Sequence, residues 1–294
     1  MKPALPFSCS QALSSRTCVR CSGTLVRFGF FFRKNQRIQR YRCKACGACI
    51  SDAFFDPFYR FRIRNLANVF FHLFCSGLSQ RRMSLILALN PKTVVRHFLL
   101  IANLADQHLD WENQRLQVVT EMQFDDMESF IHTKCKPVSL TLAVENKTRR
   151  ILGVAVASMP AKGLLAKIAR RRYGKRVDQR KQVRRALFAK IRPIVHPRAR
   201  IQSDMNPHYT EDVKEFFPQA FHEVFKGRRG CVVGQGELKR GGYDPLFSLN
   251  HTAAMIRANV NRLFRRTWNT SKRMDRLELH VRLYALYHNS ILIQ

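Results

Sequence analysis

The chain has 294 residues, with 52 Lys and Arg against 20 Asp and Glu, giving a formal net charge of +32 at pH 7. Hydrophobic residues make up 46%, enough for a real core, so a disordered basic tail is excluded. No apolar run approaches the roughly 18–20 residues that a bilayer span needs. The best run, residues 151–157, is the length of a strand. Pro3 and Pro6 interrupt any apolar signal core at the N-terminus, so a soluble intracellular protein with no membrane partner is expected. A charge this far from zero repels itself, and nucleic acid is the commonest compensating polyanion in cells. A membrane surface would favour one basic amphipathic helix, whereas here Lys and Arg are spread along the whole chain.

The first element is written in cysteines. Cys18-Val19-Arg20-Cys21 and Cys43-Lys44-Ala45-Cys46 each place two thiols on one tight turn, with 21 residues between the pairs. Four sulfurs at this spacing predict a tetrahedral Zn2+ site in a zinc ribbon. The stretch between them reads as strand (25–32), polar turn (33–37) and strand (38–42). Cys49 is a competing ligand, but Cys43 and Cys46 are preferred because the knuckle continues into Gly47. Cys9, Cys75, Cys135 and Cys231 have no partner spacing and read as small hydrophobes. Phe30 to Phe32 read as core filling for this small domain rather than as a base-stacking surface. The ribbon is assigned to residues 1–60.

A helical period follows, with Leu66, Val69, Phe70, Leu73 and Phe74 recurring every three or four residues. Ser76-Gly77-Leu78-Ser79 breaks the run, and Ser79 is the expected N-cap of a helix over 80–88. Asn90-Pro91 makes a second break before a helix over 92–104. This is a helix-turn-helix pattern across 61–112, presenting Lys92, Thr93 and Arg96 to a DNA major groove. A plain three-helix linker bundle is the alternative.

Residues 113–294 read as one α/β domain. Strands are expected at 116–124, 138–144 and 151–157 as an antiparallel meander. A basic stretch with 14 Lys or Arg between Lys167 and Arg200 follows, partly helical through Val183, Leu187 and Ile191. A strand at 199–202, a helix at 207–217, a strand at 220–225 and helices at 251–266 and 275–288 complete the order. Against the +32 background, Asp125 and Asp204 are informative because each falls at an expected strand end. Carboxylates converging there would hold Mg2+ or Mn2+ against a phosphodiester, with Asp126 on the opposite face of its strand. Turn or cap roles are the plainer explanation for each Asp alone.

These residues carry a resemblance. Glu121-Met122-Gln123-Phe124-Asp125-Asp126 and Ser203-Asp204-Met205-Asn206-Pro207-His208-Tyr209 resemble the two aspartate segments of small bacterial insertion-sequence transposases of the DDE type. Asn250-His251-Thr252 through Arg257, then Arg262 to Thr267 and Ser271-Lys272, resemble their third-residue helix and its basic continuation. The resemblance implies a multidomain protein: zinc ribbon, helix-turn-helix and a ribonuclease-H-like catalytic domain. It also implies cutting of double-stranded DNA at element ends, joining of 3′-hydroxyls to a target, a homodimeric or larger synaptic assembly, and a bacterial cytoplasm in contact with the nucleoid. Asn250 stands where the family commonly has Glu; it keeps a carbonyl oxygen ligand but loses a charge. Glu237, in a Gly-rich stretch, is the rival third ligand. Arg257, Arg262, Arg265, Arg266 and Lys272 are expected on DNA phosphates. A DNA-binding regulator or decayed transposase is the principal alternative, and a basic RNA-binding protein a third.

Overall fold

A computed structural model describes residues 17–33, 36–59, 61, 63, 65–115, 118–226, 244–264 and 268–293. The chain divides into two compact units, one up to Phe70 and one from Phe71. In the first, β1 (Leu25–Arg33) pairs antiparallel with β2 (Gln36–Cys43), and β2 with the short β3 (Cys49–Ser51). One extra residue between Arg27 and Phe30 makes a bulge, and Gly29 there has φ +67°, a conformation in which a side chain is strained. The buried centre is small: Cys18, Cys43 and Ile50, with Leu25, Ala48 and Phe55 packed on them.

Helix α1 (Ala67–Phe74) straddles the division. The second unit then begins with α2 (Gln80–Ile86) and α3 (Pro91–Asn113), meeting at 119° across a four-residue break. Their starts follow local chemistry. Ser79 accepts a hydrogen bond from the Arg82 N–H and Asn90 from the Lys92 N–H, while Pro91 takes the first helical position, where its missing N–H costs nothing. Helix α3 runs nine residues past the expected 104, because Val94, Phe98, Ile101, Ala105 and Leu109 give it one continuous buried stripe. That stripe belongs to the unit that follows. Arg282 of α8 (Met274–Tyr287) reaches Asp106 at 2.6 Å and Asp110 at 3.1 Å on α3, and Asn113 donates to the Leu152 carbonyl. The helical region therefore shares a body with the α/β part, and the domain limit expected at 112/113 has no counterpart. No single helix among the described residues is long and apolar enough to cross a membrane.

The sheet is built from β4 (Val119–Phe130), β5 (Pro137–Glu145), β6 (Ile151–Ser158), β7 (Val195–Asp204) and β8 (Phe221–Phe225) in the order β6-β5-β4-β7-β8. The β4–β5 and β5–β6 pairs are antiparallel, whereas β4–β7 and β7–β8 are parallel. Gly174 at φ +73° ends α4 (Leu165–Tyr173) and separates it from α5 (Arg180–Ile191), so the basic stretch holds two helices. Phe124 packs with Phe188 of α5 and with Tyr209, Val213 and Phe217 at α6 (Pro207–Phe216), which form the core on one sheet face. Helix α7 (Phe247–Asn259) is anchored to the other face through Gln123, whose side chain accepts from the Leu249 N–H and donates to the Pro245 carbonyl.

Candidate functional site

The sulfurs of Cys18, Cys21, Cys43 and Cys46 lie within 4.8 Å of one another, with Cys18–Cys46 at 3.5 Å and Cys21–Cys43 at 3.4 Å. Four thiolates at about 2.3 Å from a tetrahedral Zn2+ would stand roughly 3.8 Å apart, so the donor set fits that ion. Backbone geometry builds the two knuckles. The Cys18 N–H donates to the Gly23 carbonyl, and Gly47, at φ +71°, donates to the Cys43 carbonyl. Backbone hydrogen bonds, foremost from Arg20, lower the Cys18 thiol, whereas the neighbouring Cys43 and Cys46 sulfurs raise Cys21, so the four thiols titrate as one set. Cys49 lies outside the set; its thiol lies 3.9 Å from the Gly47 carbonyl. Gly23 escaped sequence reasoning. A Cβ there would meet Ala45 at 3.0 Å and the Cys43 sulfur at 3.1 Å, so any side chain would press the two knuckles apart by a few tenths of an ångström.

The two aspartates are brought together by strand register. Gln123 on β4 is paired with Gln202 on parallel β7, and two residues further along each strand stand Asp125 and Asp204, on the same face. Beneath them an amide ladder crosses the sheet, as Gln123 donates to Gln202 at 2.8 Å and Gln202 donates to Glu223 at 2.9 Å. Asp125 does not end its strand as expected. β4 continues to Phe130 because β5 keeps pairing with it, while β7 stops at Asp204. Asp125 thus sits where the sheet loses one neighbour and opens a notch.

The electrostatics follow from that position. Burial, then the charge of Asp204, raise Asp125 to about 6. Burial raises Asp204 as well, against the Asn206 N–H that its Oδ1 accepts at 3.1 Å. Tyr209 of α6 reaches the notch from below: its hydroxyl donates to Asp125 Oδ1 at 3.0 Å and accepts the Asp126 N–H at 3.1 Å. Burial and the nearby carboxylates push this phenol up, so it stays a donor. Among the described residues, Oδ2 of Asp125 and of Asp204 makes no hydrogen bond, leaving each a lone-pair face for a cation. Asp126 points to the opposite face, where Thr141 and Arg184 hold it, and Arg184 also bonds Asp212.

Asn250 lies exposed in the first turn of α7, and its amide donates to Asp244 Oδ2 at 2.9 Å. Among the described residues no hydrogen bond joins it to Asp125 or Asp204, although the Gln123 anchor holds its helix over the same sheet face. Asp244 is a carboxylate that sequence reasoning passed over; the Asp-Pro pair ahead of a helix was the available signal. Glu237, Arg265 and Arg266 lie outside the described residues.

Of the expected DNA contacts, Lys92 and Arg96 are exposed and Thr93 half-buried at the start of α3, and Lys272 is exposed. Arg257 is half-buried. Arg262 is placed otherwise than expected. Its guanidinium lies 5.2 Å over the Phe98 ring and donates to the Ser271 hydroxyl, and burial lowers it to about 10. It joins elements of the protein rather than facing outward. Comparison with known families finds no matching family model, and comparison with characterised proteins finds no match.

Proposed function

We propose that this chain is a metal-dependent DNA transposase that binds the ends of an insertion sequence, cuts DNA strands and joins them to a target. The observation that carries this reading is the Asp125–Asp204 pair, side by side on adjacent parallel strands, each with one oxygen that bonds nothing among the described residues. The element order from β4 to α7, three antiparallel strands and then two helices, strand, helix, strand, helix, supports a ribonuclease-H-like catalytic domain. Mg2+ or Mn2+ held there would supply activation of a water or 3′-hydroxyl and stabilisation of the departing oxygen. The chain's own work is to hold the carboxylates: the Gln123–Gln202 bond fixes the strands, and the Tyr209 hydroxyl fixes Asp125. Zn2+ at the four thiols would shape the N-terminal ribbon. Lys92, Thr93 and Arg96, on a helix crossing α2 at 119°, would face a DNA groove. Two element ends call for a homodimer or larger assembly.

A non-catalytic DNA-binding regulator is the second reading. It is favoured by one observation: the amide of Asn250 is bonded to Asp244 rather than to the aspartate pair. Nicking and strand transfer on DNA carrying the element's ends, with Mg2+ or Mn2+, separates the two. Activity should vanish in Asp125→Ala and Asp204→Ala while DNA binding persists. Loss in Asn250→Ala as well makes it the third ligand, and retention moves that role to Asp244 or Glu237. A folded wild type that binds DNA and never cuts would establish the regulator.

A further inference from the structure

The N-terminal ribbon turns its aromatic residues outward. Phe28, Phe30 and Phe32 of β1 are 42%, 44% and 67% exposed, although large apolar side chains on a small domain are expected to fill its centre. The Gly29 bulge explains how they divide. Paired residues of an antiparallel ribbon share a face, so Phe30 and Phe32, opposite Gln39 and Arg37, lie together, their rings 5.6 Å apart. Phe28, before the bulge, turns to the other face and meets Arg40 and Arg42 at 5.8 and 5.3 Å. Arg37 stacks over the Phe30 ring at 3.9 Å. Each face therefore carries the same chemistry, an open ring beside a guanidinium, and no acidic residue occurs from Thr17 to Ser51.

We infer that this ribbon binds unpaired nucleotides of single-stranded DNA, stacking bases on Phe30 and Phe32 on one face and Phe28 on the other while Arg37, Arg40 and Arg42 hold phosphates. The chemistry selects the occupant. A phenyl ring has no donor or acceptor with which to read a groove edge, and the π-faces of duplex bases are already stacked on one another. Unpaired bases expose those faces, and ring plus cation is the pairing that single strands use. A second copy of the chain is disfavoured, because its ribbon would bring the same positive charges into contact. The role stands on the ribbon alone. Its test needs no cutting, so it is independent of the outcome at Asp125 and Asp204.

The full-length protein is titrated, without added Mg2+, into fluorescent oligothymidylate of about 15 nucleotides carrying one adenine analogue that is quenched on stacking, and into a blunt duplex of equal length. Wild type should bind the single strand and quench the analogue. Phe30→Leu with Phe32→Leu keeps the apolar volume and removes the rings. It should weaken single-strand binding by about tenfold per ring and abolish quenching, with duplex affinity unchanged. Thiol-bound metal content checks the fold, and if the double variant loses metal, Phe32→Leu alone serves, since that ring is the most exposed of the three. Single-strand affinity and quenching equal to wild type in the ring-less protein would overturn the proposal. So would binding without quenching in wild type, or a loss that tracks dissociation of a dimer in sedimentation.

Discussion

The two units solve the problem of staying folded in opposite ways. The ribbon encloses only a small centre and leaves much of its hydrocarbon outside: Cys18, Cys43 and Ile50 are buried, whereas Phe28, Phe30 and Phe32 face solvent. The α/β unit puts hydrocarbon inside, with Phe124, Phe188, Tyr209 and Phe217 in ring contact or one cluster, and still buries charge, with Arg184, Asp126 and Asp212 almost fully enclosed. Size explains the difference. A short segment encloses too little apolar surface to offset its chain entropy easily, and a metal on the four clustered thiols would make up the difference while its aromatics stay outside. The larger unit has stability to spare for holding two carboxylates close together.

The sharpest way to break this contrast is to remove one thiol. With Zn2+ on the four cysteines, its binding free energy is the folding free energy of the ribbon, about 10–16 kcal/mol at neutral pH. Cys43→Ser should therefore unfold residues up to about 60 and leave the second unit intact. Limited trypsin digestion reads this directly, since β1 and β2 carry Arg27, Arg33, Arg37, Arg40 and Arg42. Cleavage there should become fast while a large C-terminal fragment resists. Unchanged protection of the ribbon in the variant, or after chelation, would show that the hydrocarbon core suffices.

In the second unit the corresponding probe is Arg184→Met. Arg184 is 3% exposed and bonds Asp212, itself 0% exposed, and Asp126. Removing it leaves buried Asp126 without a countercharge and Asp212 with only Arg185 at 3.7 Å, which should cost about 3–5 kcal/mol in urea unfolding. Replacing Asp126 and Asp212 by neutral residues at the same time should recover most of that loss. A loss below about 1 kcal/mol for the single variant would mean that water reaches the cluster.

The sequence made some of this legible because the signals are local. Cysteine spacing, the caps at Ser79 and Asn90, and the scarce aspartates each act within a few residues, and the structure finds the four thiols clustered and both caps bonded. What was missed depends on partners distant in the chain. The length of β4 beyond Asp125 is decided by β5, and the length of α3 by α8. Hydropathy identifies Phe30 to Phe32 as apolar but does not say which side of a ribbon is covered, and there the expectation of core filling was wrong. Arg262 is basic in sequence and interior in space for the same reason: Phe98, 164 residues earlier, decides its role.

The smallest and most specific effect concerns the aspartate pair. Asp125 is raised from 3.8 to about 6 by burial and by Asp204, so the native state holds a proton that the unfolded chain releases between those values. Stability from this group is therefore complete below about pH 4 and lost as pH rises through about 6, with a total near 3 kcal/mol. At neutral pH the metal-free site is consequently destabilised by its own charge. Asp125→Asn keeps the shape and removes that charge. In the absence of divalent cations it should unfold at higher urea than wild type at about pH 7.5, by up to about 3 kcal/mol, and show no such gain at about pH 4. Mg2+ should stabilise wild type and leave the variant unmoved, since the cation needs the ionised carboxylate. DNA cutting should decline below about pH 6 for the same reason. A stability difference between the two proteins that stays constant from about pH 4 to 7.5 would mean that Asp125 is solvated and ordinary, and the pair would then offer a cation no special site.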